Sequence, residues 1–219
     1  FSSGGMIESF CTKNNIEFRK LPQIHSPRAS FPSYVYSILK TLNSIIPITK
    51  QDIINSLEQL EHTYEEISST NLDDSNPSVN LANWITGTPV IYYPHGLETV
   101  AIRFKNSLQE NAKTHAISEN VVESSHNGIV SWERPSSMVP IMIEGKDDHI
   151  KTKERWKILR EYFEVNNIKY NEIQSVDGNI LSKVMCLIYT LDYSTIYYAV
   201  QLGIDPSPIR SIDFIKDRL

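Results

Sequence analysis

A chain of 219 residues, 40% of them apolar and 21% charged, is long enough to bury a sizeable core and too hydrophobic for disorder. The net charge of -5 argues against a nucleic-acid partner, which needs clustered Lys and Arg. Two cysteines, Cys11 and Cys186, exclude a disulfide framework and make a reduced, cytoplasmic setting the expectation.

In chain order, Ser2-Ser3-Gly4-Gly5 reads as a turn and Met6 to about Asn15 as a short helix. Ile16–Leu21 alternates apolar and charged residues, the pattern of a strand. A loop with Pro27 and Pro32 follows. Val35, Ile38, Leu39 and Leu42 then mark a helix over Tyr34–Ile45, and Thr49 is placed to cap the next one, which runs through Ile53, Leu57, Leu60 and Tyr64. Residues 68–80 are rich in turn formers and read as a linker. Beyond it, strands are expected at Thr88–Tyr93, near Ala116-Ile117, at Ile129–Trp132, at Val139–Ile143 and at Ile168–Ile173. Helices are expected over Leu97–Lys113 and Lys151–Asn166, with a last one from about Ile209. Strands alternating with helices imply βαβ units and a mostly parallel sheet. Ile180–Gln201 is apolar nearly all round, but Lys183 and Asp192 interrupt it, so no membrane span is expected. Such a helix is buried either in the core of one subunit or between two.

The polar residues offer three places for chemistry. Arg103, Asn106, Glu110 and Lys113 recur at steps of three and four, which puts them on one helical face with Glu110 as a candidate general base. His126 stands in the turn Ser124–Gly128 and can pass a proton near neutral pH. Lys216 lies in the last helix. Each also has a plain alternative: a solvated face, a surface histidine, a lysine complementing a helix C-terminus. The remaining histidines, His25, His62, His95, His115 and His149, show no metal-ligand spacing, and neither a dinucleotide glycine motif nor a P-loop occurs.

Together these segments resemble a known family. Pro27-Arg28-Ala29 with Pro32, Arg103 to Asn106, Glu110 to Lys113, His126-Asn127, and the ending Leu202-Gly-Ile-Asp-Pro206 with Lys216 are similar in order and spacing to the bifunctional phosphoglucose/phosphomannose isomerases of the sugar isomerase (SIS) superfamily. The resemblance implies an α/β fold: a flavodoxin-like SIS subdomain over residues 84–219, its parallel sheet flanked by helices. Residues 1–83 would be the closing part of another such subdomain plus a helical linker. It implies interconversion of glucose 6-phosphate and fructose 6-phosphate, and in this family mannose 6-phosphate as well, through a cis-enediol. In that scheme Glu110 is the base, His126 opens the sugar ring from across a homodimer interface, Lys216 assists it, and Arg28 stabilises the enediolate oxygen. Arg28 and Lys216 also bind substrate. The partner is a sugar phosphate, and no metal, nucleotide cofactor, membrane or nucleic acid is implied.

Departures from the family are expected to matter. A Ser-Gly-Asn-Thr phosphate loop that the family carries upstream of the Ser-Gly-Gly turn has no counterpart in these residues. Ile209 stands where the bifunctional enzymes have a Thr, which disfavours mannose 6-phosphate, and Ser125 replaces a histidine beside His126. Two other readings stay open: a non-catalytic sugar-phosphate-binding SIS module, and an inactive dimerising fragment.

Overall fold

The computed structural model describes residues 1–22, 24 and 26–219, so His25 lies outside the described residues. The chain forms two compact units, Phe1–Asn55 and Ser56–Leu219.

In the first unit, Gly4 and Gly5, both at positive φ, lead into α1 (Met6–Lys13). The strand expected over Ile16–Leu21 is reduced to one parallel bridge, Ser2 with Lys20. Its ends are the bonds from the Ser2 amide to the Arg19 carbonyl and from the Leu21 amide to the Ser2 carbonyl. Alternation alone does not make a strand where no neighbour runs alongside it, and Ile16 is half exposed. Helix α2 (Phe31–Thr41) starts earlier than its apolar spacing predicts, with Pro32 in its first turn, and ends four residues sooner. Pro fits a first turn because the amide it lacks has no partner there. Thr49 does cap α3 (Lys50–Ile67). Asp52 accepts from the Thr49 amide and hydroxyl, and the Thr49 hydroxyl accepts from the Asp52 amide at 3.1 Å, a reciprocal capping box.

The second unit is a doubly wound α/β domain. The stretch read as a linker ends instead in a helix, α4 (Pro77–Trp84). Asn76 is fully buried and its carboxamide oxygen accepts from the amides of Ser78 and Val79. The Asn-Pro pair that reads as a turn is equally an N-cap followed by N1. Then come β1 (Thr88–Tyr93), α5 (Glu98–Asn111), β2 (Ile117–Asn120), the single turn α6 (Val121–Ser124), β3 (Met138–Glu144), α7 (Ile150–Val165), β4 (Asn171–Gln174), α8 (Ile180–Gln201) and α9 (Arg210–Lys216). The strand expected at Ile129–Trp132 is a 3₁₀ helix, Gly128–Glu133, which buries Trp132 against the sheet rather than pairing with it.

All strand pairs are parallel, in the order β2-β1-β3-β4. The chain moves outward from β1 to β2, then back past β1 to β3 and on to β4. Right-handed crossovers therefore place α5 on one face and α7 on the other. Alternation along the strands matches this. Val90, Tyr92 and Met142 join Trp132, Trp156, Leu159 and Phe163 in one buried cluster beneath α7, while Ile91, Ile141 and Ile143 face the α5 side. Helix α8 packs on α5 and α4, and half of its 22 residues are buried within the one chain. The core accounts for that half of its apolar character, while Ile180, Ile196 and Val200 stay exposed. Among the described residues no helix is long and apolar enough to cross a membrane.

Candidate functional site

Glu110 sits in the last turn of α5, half-buried, at the sheet edge where strands begin. The helix ends in a left-handed residue, Lys113 at φ 55°, with the Thr114 amide returning to the Leu108 carbonyl. This reversal turns Lys113 back over the helix end. Its Nζ donates to the Glu110 carbonyl at 2.5 Å and to the Pro208 carbonyl at 2.8 Å, which ties α5 to the segment between α8 and α9. An open groove of about 820 Å³ results, lined by Asn106, Glu110, Lys113, Ile209, Arg210 and Ser211 among others. Small-molecule sites span roughly 300–1,000 Å³.

Of the four residues that helical spacing put on one face, Arg103 turns elsewhere. Its guanidinium donates through Nε at 2.9 Å and Nη2 at 2.5 Å to Asp192 in the middle of α8. Ser107 Oγ donates to the other carboxylate oxygen at 2.6 Å, and Asn111 donates to Thr195 Oγ1 at 2.8 Å. Burial raises the Asp192 pKa against the pull of Arg103 and Ser107. Arg103 is thus a structural clamp between α5 and α8, and the two charges that interrupt the apolar run and the α5 face satisfy each other.

His126 is exposed at the opposite edge. β2 ends at Asn120 and α6 follows directly, so His126 lies beyond the C-terminal end of a strand whose N-terminal end adjoins the end of α5. Its turn is held by the His126 amide bond to the Glu123 carbonyl, by Asn127 Nδ2 on the Glu123 carboxylate at 2.8 Å, and by Asn127 Oδ1 on the Gly128 amide. Lys216 is exposed in the last turn of α9, one turn beyond the groove residue Ile212 on nearly the same face. Arg28 belongs to the Phe1–Asn55 unit, half-buried in the turn that precedes α2. The structure therefore brings Glu110 and Ile209 to one groove and keeps His126 of the same chain away from it. Sequence reasoning missed Arg210 and Ser211, whose approach to α5 depends on where the 22-residue α8 ends. Among the described residues, no group of three His, Cys, Asp or Glu side chains could hold a metal ion.

A parallel four-stranded sheet flanked by helices on both faces defines this unit as a doubly wound α/β domain. Residues 74–219 match the model of the bacterial phospho-glucose isomerase C-terminal SIS domain, and the chain belongs to that family of sugar-phosphate isomerases. It is 27% identical over 232 residues to a bifunctional phosphoglucose/phosphomannose isomerase of Caldicellulosiruptor bescii, covering 100% of this chain and 67% of that protein. It is also 27% identical to a D-glucosamine-6-phosphate 4-epimerase of Sulfolobus acidocaldarius, covering 99% of this chain and 65% of that protein. The chain thus spans about two thirds of the length of these curated relatives. In fold it is similar to the tagatose-6-phosphate ketose/aldose isomerase of Escherichia coli, with a TM-score of 0.71 at 11% identity over 94% of this chain and 60% of that one.

Proposed function

We propose that this chain carries the proton-transfer half of an aldose–ketose isomerase that interconverts glucose 6-phosphate and fructose 6-phosphate, with Glu110 as the base. The observation that carries the reading is Glu110 lining a groove of substrate size within a domain of this family. In the open-chain sugar, the Glu110 carboxylate takes the proton from C2, electrons move to the C1 carbonyl oxygen, and a cis-enediolate forms, which the O2 proton neutralises by passing to O1. As O2 becomes the carbonyl oxygen, the now protonated Glu110 returns its proton to C1 and gives the ketose, so one carboxylate serves both directions. Lys113 and Arg210 place positive charge along the groove, where an oxyanion or a phosphate gains most from it. Arg28 is the proposed partner of the enediolate oxygen, and Lys216 assists ring opening.

His126 is the proposed ring-opening acid. Because it and Glu110 occupy opposite edges of one sheet, a cleft holding both is assembled in a homodimer, with His126 supplied by the partner subunit. Ile209 in the groove replaces a hydroxyl with an apolar branch, so the glucose phosphate is the preferred aldose over the mannose phosphate.

The test is to follow loss of C2 deuterium from labelled glucose 6-phosphate and mannose 6-phosphate, with sugar-phosphate binding measured separately by NMR. Exchange that Glu110→Gln abolishes while binding persists supports the reading. Binding without exchange in the unmodified chain would point to a non-catalytic module, and neither would point to a dimerising fragment. Epimerisation of glucosamine 6-phosphate at C4, the reaction named for the Sulfolobus relative, would replace the aldose–ketose assignment.

A further inference from the structure

Beneath the turn that carries His126 lies a carboxyl group the isomerisation scheme does not use. Glu119 stands in β2 opposite Tyr92 of β1, and so points to the same face of the sheet as Tyr92 and Trp132. Its Oε2 is buried and makes no hydrogen bond among the described residues. The oxygen fills the space beside Gly128. A Cβ built on Gly128 would meet Oε2 at 2.3 Å, and the Glu119 Cδ and Ser124 Cβ at 3.2 Å each. Gly128 does not have a positive φ, so its lack of a side chain answers to space rather than to backbone conformation.

We propose that Glu119 is a positioning residue for His126: its carboxyl, seated against Gly128 under the turn Ser124–Gly128, sets where the histidine stands. The role in catalysis rests on the isomerase reading above, whereas the seat itself is a matter of packing. Around it, Tyr92 Oη accepts from the Trp132 indole at 2.8 Å, and burial chiefly, with a smaller contribution from the Glu119 charge, raises the pKa values of Tyr92 and Tyr93. On the turn, Glu123 and His126 are the other titratable groups nearby, and the Glu123 carboxylate is engaged by Asn127. Burial correspondingly raises the pKa of Glu119. Protonated, it fits beneath the turn without a charge to solvate; ionised, it draws water into the seat and loosens the turn.

The experiment is NMR on the full chain with Glu119→Gln, Glu119→Ala, Gly128→Ala and the double variant Glu119→Ala/Gly128→Ala. Amide exchange across residues 122–128 and the His126 imidazole titration are followed. Emptying the seat with Glu119→Ala, or evicting the carboxyl with Gly128→Ala, should speed exchange in the turn about tenfold and shift the His126 titration. The methyl of Gly128→Ala then fits the space left by Glu119→Ala, so the double variant should recover most of the wild-type protection. Glu119→Gln, a neutral near-isostere, should keep the turn in place and remove its response to pH. If Gly128→Ala leaves the turn and the His126 titration unchanged, or the double variant is no better than either single one, the proposal is overturned. In a chain with turnover, Glu119→Ala should lower kcat with little change in KM. Absence of turnover counts against the isomerase reading alone, since the NMR outcomes decide the seat independently.

Discussion

The two edges of the β-sheet handle charge in opposite ways. Where the strands begin, Glu110, Lys113, Arg210 and Ser211 surround an open groove, and the lysine spans it from α5 to the segment before α9. Where they end, His126 stands on an exposed turn above a buried carboxyl oxygen that has no hydrogen-bond partner among the described residues. Even the four residues of β2 separate the edges by roughly 13 Å, at about 3.3 Å per residue. An acid–base pair within one sugar must lie within hydrogen-bond reach of that sugar. Under the roles proposed for Glu110 and His126, the edges of one chain are two half-sites, and the comparison fails if one chain proves able to use both at once.

The largest expected effect tests this directly. Glu110→Gln should lower kcat by a factor of 10³ or more, about 4 kcal/mol of transition-state stabilisation, while sugar-phosphate binding stays within about threefold. His126→Asn should be nearly as damaging on ring-closed substrate and much milder on an open-chain analogue. Mixing the two inactive variants then discriminates: at equal amounts, random dimerisation leaves about a quarter of the clefts with both groups intact if His126 acts across the interface. If the residues of one chain work together, mixing restores nothing, and the half-site picture is broken.

A smaller effect should come from the clamp that fixes the Glu110 edge. Asp192 holds Arg103 and Ser107 between α8 and α5, and all three side chains are largely shielded from solvent. Asp192→Ala removes the carboxylate that Arg103 and Ser107 share and should cost about 3 kcal/mol of stability, measured by urea unfolding. It should also weaken Glu110-dependent exchange, because α5 loses its register on α8, and leave the His126 turn unmoved. Asn76→Ala removes the α4 cap and should cost about 1 kcal/mol with no effect on either edge.

The sequence marks elements well where one physical signal dominates. β1 and α8 fall on their expected bounds because a short β-branched and aromatic run and a long apolar one admit few readings. It misleads where one signal has two meanings. Asn76-Pro77 is both a turn pair and a helix start, and Ile129–Trp132 is apolar because Trp132 caps the core, not because it pairs in the sheet. For the site, helical spacing correctly groups Asn106, Glu110 and Lys113 but cannot tell that Arg103 is claimed by a carboxylate 89 residues away. Arg210, Ser211 and Glu119 are invisible for the same reason: each acquires its setting from tertiary packing, through the end of α8 or through the space beside Gly128.

The smallest expected effect concerns the His126 edge and pH. Burial raises the Glu119 pKa in the folded chain above its ordinary value. Below that ordinary value the carboxyl is protonated in both states, and the stability it contributes is fully present. As pH rises the unfolded chain ionises first, so stability falls until the folded carboxyl ionises too, and then levels off. Glu119→Gln removes this decline. The variant-minus-wild-type difference in unfolding midpoint, followed from about pH 4 to pH 8, should therefore grow in favour of the variant across the window just above the ordinary carboxylate value. Glu144 and Asp192, whose pKa values burial also raises, are present in both proteins and cancel in the difference. A flat difference would mean that the oxygen beneath the turn carries no penalty when charged. The His126 edge would then be as solvent-adapted as the Glu110 groove, and the contrast between the two edges would rest on geometry alone.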